Sequence, residues 1–333
     1  MQDAVTSEHR GETRAGHVAL VGRPNVGKST LLNALIGEKL SIVTPKAQTT
    51  RDAVTGILTT DRAQIIFVDT PGLLEPRYAL QRAMLEAALR ALDDADVVLL
   101  LLDATRPGET AFGAGLEHLR ARMDRLIVAI NKVDIAGSDG VKELASWSRR
   151  ELKAEAVFLS AGTGEGVESL RDRIVEALPL NPFFYPADEL AVQPVRFFVE
   201  ELVRETIFEE YEKEVPYSTV VRIEEFREGT DPLYIRATIY VERDSQKAIL
   251  IGQAGSAIKK LGAQARTKVE AFLGTHVYLD LWVKSLPGWR RKVSALRYLG
   301  YSVSQGAPDE DEEEEEDDGP DPRVAPPAWT GQG

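Results

Sequence analysis

The 333-residue chain contains no cysteine, which excludes disulfides, thiolate metal sites and a cysteine nucleophile and fits a reducing compartment. Long hydrophobic runs are missing too. The longest, Val97 to Leu102, falls far short of the ~20 apolar residues that cross a bilayer as a helix. Met1 to Gly16 is polar and of mixed charge, without the apolar centre of a secretory signal. A cytoplasmic protein is the expectation. An overall basic excess is also lacking: the net charge is −13, which taken whole argues against a nucleic-acid partner. The acid is not spread evenly, however. Asp309 to Asp318 is an unbroken acidic block, and 11 acidic residues and one arginine lie beyond residue 308. Residues 1–308 therefore hold 42 acidic against 39 basic residues, a net of −3.

What is present is enough for two cores, since single domains run to roughly 100–200 residues and 43% of this chain is apolar. From His17 short β-rich runs alternate with helical stretches. His17–Gly22, Ala53–Thr59, Gln64–Asp69, Val97–Asp103, Leu126–Asn131 and Val157–Ser160 read as strands. Ser29–Gly37, Arg77–Leu92 and Val167–Leu178 read as helices. Near-continuous apolar strands mark a parallel sheet buried on both faces. The expected fold is a doubly wound α/β sheet of the P-loop NTPase type. Prolines at 179, 182, 186 and 194 punctuate a linker. A second unit follows, with helices at Val195–Glu212, Gln246–Ile251, Ala254–Leu273 and Trp289–Leu299. Its strands are Ser218–Phe226, Leu233–Arg243 and His276–Lys284. The divisions expected are a disordered extension 1–15, a nucleotide-binding domain 16–179, a linker 180–194, a second domain 195–303 and a disordered acidic tail 304–333.

Gly22-Arg23-Pro24-Asn25-Val26-Gly27-Lys28-Ser29 fits G-x-x-x-x-G-K-[ST] between a strand and a helix, and Thr30 continues the helix. Backbone amides turn inward around phosphates at the positive helix end. Lys28 reaches the β- and γ-phosphates, and the Ser29 hydroxyl binds Mg²⁺. Asp69-Thr70-Pro71-Gly72 ends a strand some forty residues later. There the Asp69 carboxylate holds Mg²⁺ through water and the Gly72 amide senses the γ-phosphate. In the loop between, a hydroxyl of Thr49 or Thr50 can cap the metal shell while the γ-phosphate is present. Thr50 is the candidate grouped with Ser29 and Asp69, and with Lys28 and Gly72 for catalysis. Asn131-Lys132-Val133-Asp134 follows a buried strand. A carboxylate at Asp134 accepts the N1 and 2-amino protons of guanine, a donor pair that adenine lacks, and such a mismatch can cost roughly 10⁴–10⁵-fold. Lys132 packs along the base, Asn131 ties loops together, and Ser160-Ala161-Gly162 offers a backbone amide to the guanine oxygen. GTP and GDP are the expected ligands. Many GTPases carry a glutamine after D-x-x-G to orient the attacking water; here Leu73 stands there. A cation such as K⁺, held in part by Asn25, can supply some of the missing charge stabilisation.

In the second unit Ile251-Gly252-Gln253-Ala254-Gly255-Ser256, followed by Ile258, Lys259 and Lys260, forms a G-x-x-G loop between two helices. In an α+β KH fold of type II this loop clamps about four nucleotides, with Ile249, Ile251 and Ile258 beneath the bases. From Arg243 to Val303 there are 11 Lys/Arg against 3 Asp/Glu, the footprint of phosphate contact. A helix–turn–helix with a solvated basic face is the plainer alternative. Trp282 and Trp289 read as core residues rather than base-stacking ones.

These motifs together resemble the Era family of bacterial GTPases. The matching runs are GRPNVGKSTLLNALIG at 22–37, KAQTTR at 46–51, DTPG at 69–72, NKVD at 131–134 and SAGTGEGV at 160–167. PYSTVVRIEEF at 216–226, VERDSQKAILIGQAGSAIKKLG at 241–262 and LWVKSLPGW at 281–289 continue the match. The resemblance covers roughly His17 to Tyr301. It implies GTP hydrolysis, binding to the 3′ end of 16S ribosomal RNA, a role in assembly of the 30S subunit, and loose contact with the inner membrane face. It also places Leu73 within the family pattern. A monomer is expected. Two other readings stand beside it: an RNA-binding scaffold with negligible turnover, and a GTPase of a tRNA-modification pathway.

Overall fold

The apolar run Val97–Asp103 is buried along its whole length, as is Leu126–Asn131, and two such strands require a layer on each face of their sheet. The computed structural model describes residues 12–303 except 45, 47, 48, 111 and 113. Among these it forms two compact units. The first holds 12–41, 53–73 and 88–192; the second holds 42–52, 74–87 and 193–303. The expected extension 1–15 and tail 304–333 lie almost wholly outside the described residues.

The first unit carries strands β1 (Arg14–Gly22), β2 (Val54–Thr59), β3 (Ala63–Asp69), β4 (Val97–Asp103), β5 (Leu126–Asn131) and β6 (Ala156–Phe158). They line up in the order β2-β3-β1-β4-β5-β6. Every pairing is parallel except β2 with β3, the hairpin around Asp61. Strand β1 starts at Arg14, pairing with Ala63, so ordered structure reaches inside the span expected to be an extension. The helices are α1 (Lys28–Ile36), α2 (Ala79–Asp94), α3 (Ala114–Arg120), α4 (Ser138–Leu152) and α5 (Val167–Ala177). The division between units falls inside α2. The proline-punctuated segment is laid along the sheet rather than hanging free. Leu190 accepts a hydrogen bond from the Ile57 amide (2.8 Å), and Ala191 bridges Gly56 at the outer edge of β2. Buried Gln64 fastens the same segment, donating to the Tyr185 carbonyl and accepting from the amides of Phe184 and Tyr185.

The second unit runs α6 (Val195–Glu210), β7 (Val220–Arg227), β8 (Leu233–Val241), α7 (Asp244–Ile251), α8 (Ser256–Leu273), β9 (Val277–Ser285) and α9 (Val293–Tyr298). Strand β8 is central, antiparallel to β7 and parallel to β9. Ile235, Ala237, Ile239 and Val241, alternating along β8, face a core completed by Val199, Val203 and Ile207 of α6 and Leu261, Ala265 and Val269 of α8. The α-β-β-α-α-β order with a parallel outer strand is the KH fold of type II expected above. Trp289 is fully buried, donates to the Ser218 carbonyl (2.9 Å) and stacks on Tyr301. It precedes the closing helix rather than starting it. Trp282 corrects the expectation: it is 52% exposed, its Nε1 donating to Asp280. The alternation of β9 turns Leu279, Leu281 and Val283 toward the core, so Trp282 must face outward.

Candidate functional site

The loop from Gly22 to Gly27 leaves the carboxyl end of β1 and enters α1, the crevice position for ligands of open α/β sheets. Arg23, Pro24, Asn25 and Val26 form the turn, and Lys28, Ser29 and Thr30 the first helical turn. Gly27 has φ +99°, and a Cβ there would lie 2.3 Å from the Asn131 amide nitrogen, so no other residue fits. Lys28 is buried; its Nζ donates to the carbonyls of Arg23 (3.1 Å) and Gly22 (3.4 Å). Burial pulls its amine down to about 8, against the opposing pull of the Asp69 charge. The Ser29 hydroxyl donates to Asp69 Oδ2 at 2.6 Å. Two hard oxygen donors meeting beside a buried ammonium suit Mg²⁺ with polyphosphate, so the donor set fits the expected metal. Thr70 serves the scaffold, its hydroxyl donating to the Leu20 carbonyl (2.7 Å). Past Pro71 and Gly72, the Leu73 amide bonds the Gly22 carbonyl (2.9 Å), closing the two phosphate loops on each other. The Leu73 side chain is buried, within van der Waals reach of Gly115.

On the base side, Asn131 is the tie that was expected. Its Nδ2 donates to the Val26 carbonyl (2.7 Å), and its Oδ1 accepts from the Ala161 amide (2.9 Å). One side chain thereby holds the phosphate loop, the end of β5 and the Ser160–Gly162 loop together. Ser160 is buried and accepts from the Thr163 amide; Asp134 is exposed on the turn after β5. The sequence reading missed Asp103. At the carboxyl end of β4 it is buried and bonds Lys132 Nζ at 2.6 Å, while the same Nζ reaches the Asn25 carbonyl at 2.7 Å. Lys132 is thus oriented from two sides. The signal was available: a carboxylate ending a six-residue apolar run.

Thr49 and Thr50 belong to a separate unit from Ser29 and Asp69, which are in the first. They lie in 42–52, part of the second unit. There Arg51 is buried, its guanidinium donating to the carbonyls of Thr219 (2.5 Å), Tyr217 (2.7 Å) and Pro216 (3.3 Å) and lying 5.7 Å from the Trp289 ring centre. Arg204 donates to the Thr49 carbonyl, and Lys46 to the carbonyls of Phe208 and Tyr211 near the end of α6.

The G-x-x-G loop sits where α7 ends at Ile251 and α8 begins at Ser256. Gly252 has φ +71°, and a Cβ there would meet the Ala257 Cβ at 2.6 Å. Gln253, Ala254, Ser256 and Lys259 are exposed; Gly255, Ile251 and Ile258 are half-buried, Ile258 packing on the core. Ile249 is exposed. Lys260 is exposed and pairs with Glu210.

Two domain families match the chain: one described as "50S ribosome-binding GTPase" over residues 17–132, and the KH domain over 214–290. GTPase Era of Carboxydothermus hydrogenoformans is 41% identical over 87% of this chain and 98% of its own length. GTPase Era of Thermotoga maritima is 44% identical over 84% of this chain and 94% of its own. The chain belongs to the Era family of GTPases. Among solved structures, Aquifex aeolicus Era Y63A bound to GDP·AlF4⁻ is similar, with TM-score 0.81 and 38% identity over 87% of this chain and all of that one. Era in complex with MgGDPNP and nucleotides 1506–1542 of 16S ribosomal RNA gives TM-score 0.83 at the same identity and coverage.

Proposed function

We propose that this Era-family GTPase is a GTP-hydrolysing switch that binds the 3′ end of 16S ribosomal RNA and acts in assembly of the small ribosomal subunit. The observation that carries the reading is the pairing, in one chain, of the Asn131-centred nucleotide site with an exposed G-x-x-G loop on a KH fold. The similar solved Era holds both MgGDPNP and 16S nucleotides. The family description naming the 50S subunit rests on residues 17–132 alone, whereas that likeness spans both units, so the small subunit is preferred. Membership in the Era family favours the ribosomal role over tRNA modification.

Lys28, Ser29 and Asp69 would hold magnesium triphosphate, the metal supplying charge neutralisation on the β- and γ-oxygens. Asn131 and Asp103 fix the loops so that Asp134 and Lys132 meet the base without reorganisation. With Leu73 buried, no side chain at that position orients water, which favours slow intrinsic turnover. K⁺ beside Asn25 is the group proposed to add positive charge. Phosphate release measured in K⁺ and in Na⁺ at equal ionic strength tests this; equal rates would remove it. Loose contact with the inner membrane face and a monomeric state belong to the same reading, tested by vesicle flotation and light scattering. The central test is calorimetry with GTP, GDP and ATP in magnesium, followed by titration with 16S nucleotides 1506–1542. Equal binding of ATP, or no hold on the RNA, would overturn it.

A further inference from the structure

The second unit is basic in sequence from Arg243 to Val303, but much of that charge is already neutralised within the fold. Lys268 pairs with Glu205 and Glu209, Lys260 with Glu210, and Arg290 with Glu242. Carboxylates of α6 thus cancel the basic side of α8. Among the described residues, Lys259 in the first turn of α8 and Lys247 on α7 lie on the helices that flank the G-x-x-G loop, together with the amides of a loop whose Gly252, Ala254 and Gly255 all have positive φ.

The same chain carries its own polyanion. Asp309–Asp318, outside the described residues, places ten carboxylates in succession, a charge density comparable with a phosphodiester strand. The point of departure is fixed. Tyr301 is buried against Trp289, and Val303 packs on the same cluster. Only residues 304–308 separate Val303 from Asp309. Five residues span at most about 17 Å and the acidic run about 35 Å more, against a radius of gyration near 13 Å for a domain of about 100 residues. Every face of the second unit is therefore within reach, and tethering through so short a spacer gives an effective concentration on the order of millimolar.

We propose that residues 309–318 occupy the Lys247–Lys259 loop surface in cis and compete there with RNA phosphates. The proposal rests on the RNA reading above. The acidic run lowers RNA affinity at low salt and makes binding selective for RNA that brings base contacts as well as charge. The contest weakens as salt shortens the ~10 Å screening length.

The test uses the full chain and a full-length variant with the ten acids of 309–318 changed to Asn and Gln. Binding of labelled 16S nucleotides 1506–1542 should be about tenfold tighter in the neutralised chain near 50 mM salt, given millimolar tethering against a contact of ~0.1 mM, and the gap should close by about 300 mM. Without RNA, carbodiimide should link the tail carboxylates of the native chain chiefly to Lys247 and Lys259. Equal, finite affinities in low salt, or links spread over Lys142 and Lys153 as readily, would overturn the proposal. RNA held by neither chain would remove the RNA reading and the competition with it, a different result from equal binding.

Discussion

Lys28 shows how a single side chain is prepared for its ligand. Burial holds its amine near 8 when the ordinary value is 10.5, so the folded state carries the charge at a cost below pH 8. That cost is shed as pH rises from 8 toward 10.5, and over this window the unfolded chain binds more protons, so the nucleotide-free protein gains stability. A polyphosphate reverses the balance by favouring the ammonium form. Near pH 8.5, about half a unit above the depressed value, GDP binding should take up a proton and weaken as pH climbs. Calorimetry in buffers of different ionisation enthalpy reads this directly, and an enthalpy independent of buffer would contradict it. Asp134 is the residue proposed to carry the base preference. In Asp134→Asn the acceptor pair for N1–H and N2–H is lost, while an amide donor appears opposite position 2, where xanthine bears a carbonyl. GTP affinity should fall by about 100-fold or more, and xanthosine triphosphate should become the better ligand. A variant still preferring GTP would remove Asp134 from that role. Lys28 and Asn131 were legible because motif spacing states where they sit. Asp103 was not, since a lone carboxylate at a strand end acquires its meaning only when Lys132 arrives from another strand.

Elements were legible where periodicity was clean and obscure where it broke. The apolar strands β4 and β5 stood out, whereas α3 and α4 were not anticipated. In α4 the buried residues are Leu144, Ala145, Ser148 and Leu152; a serine inside the apolar stripe and Gly140 in the first turn blur the helical pattern. Trp282 was misjudged because an aromatic residue in a strand suits either face, and register alone decides. The run 46–51 showed no helix or strand periodicity, yet Arg51 within it is buried, its Nη1 and Nη2 meeting three carbonyls near the start of β7. Arg51→Met keeps the length and removes the donors. Three buried carbonyls would lose a charged partner, costing about 2–4 kcal/mol. Urea unfolding followed by circular dichroism should show the lowered midpoint. An unchanged midpoint would mean that the segment contributes nothing to the second unit's stability.

For the whole molecule, charge matters by location rather than by total. A chain at −13 reads as averse to nucleic acid, yet the acid is gathered in one terminal block and the G-x-x-G loop keeps Lys247 and Lys259 on its flanking helices. So few cations imply few phosphate contacts. With single strands the logarithmic salt slope is about −0.7 per contact, so RNA binding by the tail-neutralised chain through these two lysines should show a slope of roughly −1.4. Lys259→Gln should flatten it by about 0.7 while leaving GTP binding untouched. A slope near −8 would point to a broad electrostatic contact elsewhere. The succession of strands along the chain and the presence of two units followed from motif order and composition, but the grouping of 42–52 and 74–87 with the second unit did not, because no local sequence property states which unit a loop will join.

The hydrogen bond from Ile57 to Leu190 bears on how the nucleotide-binding unit can be studied alone. Strand β2 ends the sheet, and residues 189–192 act as its cover. A fragment stopped at Pro179, the natural cut by composition, would leave the outward-facing backbone groups of β2, the Ile57 amide among them, open to neighbouring copies, a template for self-association. One carried through Val192 should stay dispersed at concentrations where the shorter fragment scatters light, and equal dispersion of the two would show that this cover is dispensable.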